Sequence, residues 1–448
     1  MPWKIVHLDV SQGIPPLSSG PGFQGFFVVL WWHTIPLGQC WIPKRHLPMG
    51  AAELTEHALT VITPAVERHL QVRSVEAPSV SNRHPERGDR NLEILPLLDR
   101  PLKTLQDRLS LHLRDTGGLS ASLIICTKDR PDQLKRYLLS LQSLSYRPRE
   151  IWVVDNAPRS DATRQTVARF PDIRYIQEPR AGLDVARNTG IRHASGEIVV
   201  FTDDDVTVHP DWIARIMQGF NHPKVMAVTG LVLPAELNTE AQYLFERYWG
   251  FGRGYLSRSF GRPFFERKQC KGVPVWQIGA GANMAFRREV FDRVGPFDER
   301  LDVGAAGCSG DSEMWYRILA RGWICHYEPT AVVYHYHRRK LERMNKQIYD
   351  YMRGHVAALL IQFEKHRHRG NLRRLFLSLP NYYARLAVKG VLNGFSGRER
   401  TLHKEIRGCL SGLAYYATQR RPVNSFSLSS VDIGPQQPDG TQRGMRSL

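Results

Sequence analysis

The sequence predicts an α/β protein centred on a doubly wound, mostly parallel sheet, with a small β-rich module before it and basic helices after it. Three observations carry that expectation. Between residues 119 and 202, short apolar runs alternate with helical patterns, as strands buried on both faces require. Polar, chemistry-bearing residues (Thr127, Asp155 and Asp203–Asp205) fall where those runs end. From Arg338 onward there are 21 Lys and Arg against 7 Asp and Glu, a net of +14 out of the chain's +18.

Taken in order, residues 1–75 hold two apolar runs, Gly25–Trp32 and Gln39–Ile42. The turn-prone stretch Thr34–Gly38 separates them, which predicts a hairpin in a small β-rich module. Residues 76–118 read as a linker followed by a helix carrying Leu98, Leu102, Leu105 and Leu109. The main domain spans 119–340. Its strands are expected at Ala121–Cys126, Glu150–Val154, Ile173–Ile176 and Ile198–Thr202. Helices are expected from Pro131, around Asp161–Arg169 and over Leu183–His193. Residues 341–421 read as basic helices divided by Pro380, Gly390, Gly394 and Gly397. There Leu372, Leu375, Phe376 and Leu379 recur at helical spacing beside Arg373 and Arg374. The Ser-, Pro-, Gln- and Gly-rich tail 422–448 is expected to be disordered.

Composition narrows the function. The longest apolar run, Phe26–Trp32, is too short to cross a bilayer, and the N-terminus lacks the basic-then-apolar pattern of a signal peptide. Six cysteines without a close pair are expected as reduced thiols. Together these features predict a cytosolic chain whose basic helices offer peripheral contact with the anionic inner face of a membrane. Nucleic acid is disfavoured as a partner, because it explains the charge and leaves the carboxylates unexplained.

Asp203-Asp204-Asp205 directly follows the apolar Ile198-Val199-Val200. Three adjacent carboxylates repel one another and are not tolerated unpaired in a core. At a strand exit they form a hard-oxygen cluster suited to Mg2+ or Mn2+ and, through the metal, to a diphosphate. A solvated acidic loop is the alternative, and the preceding strand argues against it.

The order and spacing of further motifs extend this reading. Thr127-Lys128-Asp129-Arg130-Pro131, Val153-Val154-Asp155-Asn156, Arg187-Asn188-Thr189-Gly190, the Asp triplet, Gly281-Ala282-Asn283-Met284-Ala285, Gly310-Asp311 and His335-Tyr336-His337 follow one another. The chain from 119 to 340 thereby resembles the family-2 inverting glycosyltransferases. The resemblance implies a GT-A fold, a nucleotide-diphospho-sugar donor, UDP-linked, and a divalent metal, Mg2+ or Mn2+. It implies that Asp155 reads the base, with Thr127 and Arg130 at the ribose or diphosphate and Arg187 over the nucleotide. It makes Asp203 a ribose or metal-water contact, Asp205 a direct metal ligand and His335 a further one, and puts Asp204 at the donor unless it is structural.

For the base that deprotonates the acceptor hydroxyl, the resemblance points to Asp311, with Glu313 as alternate and 304–310 as a flexible lead that could close over substrate. Helix capping is an alternative for both Asp155 and Asp311. Similar proteins often carry Glu-Asp where this chain has Gly310-Asp311, which puts in doubt any role for the first acid. Among the aromatics, Trp276, Trp315 and Tyr316 are candidates to stack on sugar, at least two of them being expected in the core. The membrane helices and Gln-x-x-Arg-Trp motif of processive synthases are missing. That implies transfer of one sugar to a discrete hydroxyl acceptor such as a cell-envelope glycan, glycolipid or metabolite. The alternatives are a sugar nucleotidyltransferase, disfavoured by the glycine-free loop after Cys126, and a nucleotide-sugar-binding scaffold without activity.

Overall fold

In the computed structural model, residues 2–71, 103 and 118–419 are described. The tail 422–448 and, Lys103 apart, the helix expected around Leu98–Leu109 lie outside them. The N-terminal strands are β1 (Lys4–Asp9), β2 (Gly25–Trp32) and β3 (Ile35–Pro43). β2 runs parallel to β1 and forms an antiparallel hairpin with β3. One face of β2 (Phe26, Val28, Leu30, Trp32) packs on Leu54, Ala58 and Ile62 of a helix, Ala51–Gln71. Its other face (Phe27, Val29, Trp31) packs on Leu231, Leu233 and Val332 of the main domain. Burial on both sides explains why all eight positions are apolar. The 21-residue helix, with Pro64 inside it, makes this region less purely β than expected.

The main sheet contains β4 (Ala121–Thr127), β5 (Glu150–Asn156), β6 (Ile173–Glu178), β7 (Ile198–Asp203), β8 (Val206–Val208), β9 (Val225–Pro234), β10 (Arg258–Phe260), β11 (Met284–Arg287) and β12 (Ile324–His335). Their order is β10-β12-β9-β11-β7-β4-β5-β6, and β8 pairs with β12. The run β6-β5-β4-β7 is parallel, β11 is antiparallel between β7 and β9, and β9 and β12 are again parallel. Alternate residues of the parallel strands face opposite cores. Leu123, Ile125 and Val153 meet Leu134 and Leu138, whereas Ile124 and Val154 meet Ala186 and Ile191. After β4 the sheet grows outward through β5 and β6, then returns to add β7 on β4's other side. That is the switch point at which such sheets bind ligands. The register pairs Thr127 with Asp155 and Cys126 with Asp203, so the three exits are level on one rim.

The C-terminal helices are Leu341–His366, Arg369–Arg373, Leu379–Asn393 and Leu402–Thr418. Pro380 does not divide them, contrary to expectation. A π-helical turn, Arg374–Ser378, precedes it and leads directly into the next helix. The widened turn accommodates the proline's missing N–H and bulky ring. Gly394, at φ 61°, ends the helix instead. Among the described residues no helix is long and apolar enough to cross a membrane, and all six cysteines are unpaired.

Candidate active site

The carboxylate triplet begins as β7 ends, and the turn after it sends its side chains in different directions. Asp204 turns back toward β4, accepting from the Thr127 hydroxyl at 2.7 Å and from Arg130 Nη1 at 2.8 Å. It is buried and both of its oxygens are engaged. Asp204 is therefore a strut that ties the β7 exit to the β4 exit, the structural alternative to a place at the donor. Thr127 donates its hydroxyl proton to Asp204 and keeps acceptor capacity only. Arg130 remains half exposed at the rim and reaches Asp205 at 3.4 Å. We expect Asp204→Ala to lower unfolding stability by about 1–2 kcal/mol, because the buried Thr127 hydroxyl loses its acceptor while Arg130 can rehydrate. Denaturant midpoints would measure this; unchanged stability with lost donor binding would return Asp204 to the donor.

Asp203 and Asp205 point the other way, and the long-range pairing of β8 with β12 brings His335 to them. His335 pairs with Val206, and the Tyr336 N–H donates to the Asp205 carbonyl at 2.9 Å. One atom each of Asp203, Asp205 and His335 falls in a group whose members all lie within 4.8 Å of one another. Two carboxylates and an imidazole at that spacing fit a divalent cation, and the imidazole suits Mn2+. His335 Nε2 is 3.2 Å from Asp205, while its Nδ1 lies 3.0 Å from His337 Nδ1. His337 Nε2 in turn lies 2.9 Å from Glu246. This buried chain fixes the ring as an outer layer fixes a metal-bound histidine. The tautomer with Nδ1–H donated to His337 leaves the Nε2 lone pair of His335 available to a cation, whereas the tautomer with Nε2–H donates to Asp205 at 3.2 Å.

Electrostatics separate the two acids. Burial, then the neighbouring Asp205, push Asp203 up to about 6. Burial alone would also raise Asp205, but His335, Arg338 and Arg130 outweigh it and hold that carboxyl well below the usual range. Arg338, 3.1 Å from Asp205, was counted in the sequence only as the start of the basic run.

Asp155 is fully buried at the β5 exit. One oxygen accepts from the Tyr175 hydroxyl at 2.9 Å; the other, beside Thr163, makes no hydrogen bond of ordinary geometry. It caps no helix, and burial raises it above the ordinary carboxylate range.

Arg187 is not spread over a nucleotide as expected. It is buried, with Nη1 at 2.9 Å from Asp184 and 2.6 Å from Asp302. Its charge also acts on Asp203 and on Asp311. A Cβ on Gly281 would meet Arg187 Nη2 at 3.1 Å and Asp311 Oδ2 at 3.2 Å, so glycine lets the loop before β11 lie against both groups without pushing either aside.

Asp311 sits in the first turn of the helix Gly310–Ala320, whose N-cap is Ser309. Its Oδ1 accepts from the Ser312 N–H at 2.6 Å. Burial, then Asp302, raise its pKa, as a proton acceptor near neutrality needs. Glu313 does not share this position. It is fully buried between Arg317 at 2.8 Å and Lys365 at 3.1 Å, which corrects its standing as alternate base. Within the lead 304–310, the N–H groups of Ala305 and Gly307 donate to Asp302 O and that of Ala306 to Arg300 O, which ties the stretch to the turn before it.

Sequence reading missed Asp184 and Asp302. A Cβ on Gly310 would lie 2.1 Å from Asp184 Oδ2, so Asp184's carboxylate fills the space a Gly310 side chain would need. Its Oδ2 has no partner, and burial, then Asp302, push it well above the ordinary range. The signal in the sequence was Gly310 itself, the missing acid of an expected pair. Of the aromatics, Trp315 and Tyr316 are core, and Trp276 is half buried under Arg374.

Residues 122–295 match the family model Glycosyl transferase family 2. The matched stretch runs from β4 past β11 and includes the Asp203–Asp205 rim. A glucosyl-dolichyl phosphate glucuronosyltransferase from Haloferax volcanii is 26% identical over 242 residues, 52% of this chain and 71% of the relative. A pre-mycofactocin glycosyltransferase from Mycobacterium tuberculosis is 26% identical over 243 residues, 53% of this chain and 48% of the relative. A mannosyltransferase from Pyrobaculum calidifontis, solved with GDP-Man and Mn2+, superimposes with a TM-score of 0.48 at 19% identity, over 71% of this chain and 95% of that one.

Proposed function

We propose that this glycosyltransferase is inverting and metal-dependent, and moves one sugar from a UDP-linked donor to a discrete hydroxyl acceptor. The observation that supports the reading best is Arg187, a buried guanidinium that lies with Asp311 against Gly281 and whose charge acts on both Asp311 and Asp203 of the Asp203–Asp205–His335 group. A donor diphosphate on the metal side and an acceptor hydroxyl on the Asp311 side would then meet across one guanidinium.

Each residue has a role under this reading. Asp155's unpartnered oxygen accepts from the base N–H. Asp203, Asp205 and His335 would hold the cation, Mn2+ or Mg2+. A cation bound there neutralises the leaving diphosphate as a Lewis acid. Arg130 and Arg338, which pair with Asp205, turn toward the phosphates once the carboxylate is engaged. Asp311 accepts the acceptor's proton as its oxygen attacks the anomeric carbon, and the bond to the diphosphate breaks on the opposite face. Arg187 ties Asp184 to Asp302 through its ion pairs and acts on Asp311 through its charge. The Haloferax relative is by name an enzyme of a dolichyl phosphate-linked sugar, which favours a glycan or glycolipid acceptor here.

Thermal unfolding of the full chain with Mn2+ and a panel of UDP- and GDP-sugars tests the donor. A UDP-sugar at ~100-fold excess over its Kd should add roughly 2–3 kcal/mol, visible as a higher Tm only when metal is present. Greater stabilisation by a GDP-sugar would overturn the UDP assignment. No response to any member of the panel would overturn the donor site.

A further inference from the structure

The geometry points to a membrane-docking face on the C-terminal helices, built to rest on an anionic bilayer surface. Twelve large apolar side chains are exposed among the described residues, and nine of them fall between 376 and 410. They are Phe376, Leu377, Tyr382, Val388, Val391, Leu392, Phe395, Ile406 and Leu410, with Val391 and Leu392 exposed to 74% and 79%. The opposite side of the same helices (Leu375, Leu379, Tyr383, Leu386) packs against Met352 and Val356 of the helix Leu341–His366. The helix Leu379–Asn393 is thus apolar on two faces, and the fold covers only one. Exposed apolar side chains concentrated in one segment of the fold mark an interaction site.

Charge identifies the occupant. Residues 369–418 contain nine Arg and Lys and only two carboxylates, Glu399 and Glu405. Both carboxylates are buried, at 2% and 1% exposure, and paired with Lys389 and Arg398. The surface therefore presents no carboxylate. Arg373, Arg385 and Arg407 are exposed, and among the described residues they form no ion pair. Apolar side chains to enter the interface, ringed by cations and free of acids, are what anionic headgroups attract. A second copy of the chain would set these arginines against their own equivalents with no acid between them. The tail beyond residue 419 is no better match, having four Arg to two Asp.

The face also connects to the active site. Arg374, at its edge, stacks over Trp276 at 4.0 Å. Trp276 lies five residues before Gly281, which touches Asp311. Docking would bring the acceptor side of the site close to the bilayer, yet it does not depend on the donor chemistry proposed above.

Flotation of the full chain with vesicles of phosphatidylcholine, with and without phosphatidylglycerol, tests the proposal. The wild type is expected to float with the anionic vesicles alone and to be released by salt. Val391→Glu with Leu392→Glu should weaken partitioning at least tenfold, and Arg385→Glu with Arg407→Glu should weaken it only for anionic vesicles. All four positions are exposed, so unchanged circular dichroism and Tm should accompany the loss. Failure to float with either vesicle, or flotation unaffected by both double variants, would overturn the proposal. So would light scattering that shows a dimer which Val391→Glu with Leu392→Glu dissociates, since the face would then be a self-association surface.

Discussion

Asp311→Asn is expected to lower kcat by about 10^3-fold while leaving donor affinity within about twofold. Asparagine keeps the oxygen that accepts the Ser312 N–H, so the helix start is preserved and only proton acceptance is lost. A substitution that removed donor binding equally would make Asp311 structural. Two further readouts follow from its environment. Burial, then Asp302, raise its pKa, so transfer should fall with an acid limb above the ordinary carboxylate range, as protonation silences the base. The same raised pKa means that the folded state binds this proton more tightly than the unfolded chain. The stability it contributes is present at low pH and lost as pH rises through the folded value. At neutral pH, Asp311→Asn should therefore leave Tm unchanged or slightly higher, whereas a structural carboxylate would lower it on removal.

Asp205→Ala is expected to weaken Mn2+ binding by at least about 100-fold and to abolish the metal-dependent part of donor stabilisation. Of the two grouped carboxylates it is the one held ionised, so it can take a cation without first losing a proton. His335→Ala should have a smaller effect, on the order of tenfold, because two carboxylates remain. Titration calorimetry with Mn2+ alone reads both variants without any transfer assay. Undiminished Mn2+ affinity in Asp205→Ala would remove Asp205 from the ligand set. Asp204→Ala serves as the internal contrast, since its cost should fall on stability rather than on the metal.

The outcome for the triplet shows where sequence reading stops. Side-chain direction alternates along a strand but not through a turn, so Asp203, Asp204 and Asp205 could not be sorted from their order. Asp204 was sorted by Thr127 and Arg130, and Asp205 by His335, which lies 130 residues further along the chain. Arg187 and Glu313 had the composition of site residues, yet distant partners (Asp302 for one, Lys365 for the other) drew them into buried ion pairs. Gly310 read as a lost acid until Asp184, from another helix, was found in its space.

The sequence by itself determined the parallel sheet and the rim on which its polar residues collect. Strands buried on both faces must be continuously apolar, and their ends must carry whatever chemistry the core cannot hold. The tertiary structure alone decided which carboxylates gather with His335, which one braces the rim against Thr127 and Arg130, and which one lies beside Gly281. It also decided which face of the C-terminal helices stays uncovered. Those choices depend on pairings between distant segments, and a helix apolar on two sides does not encode locally which side its own fold will bury.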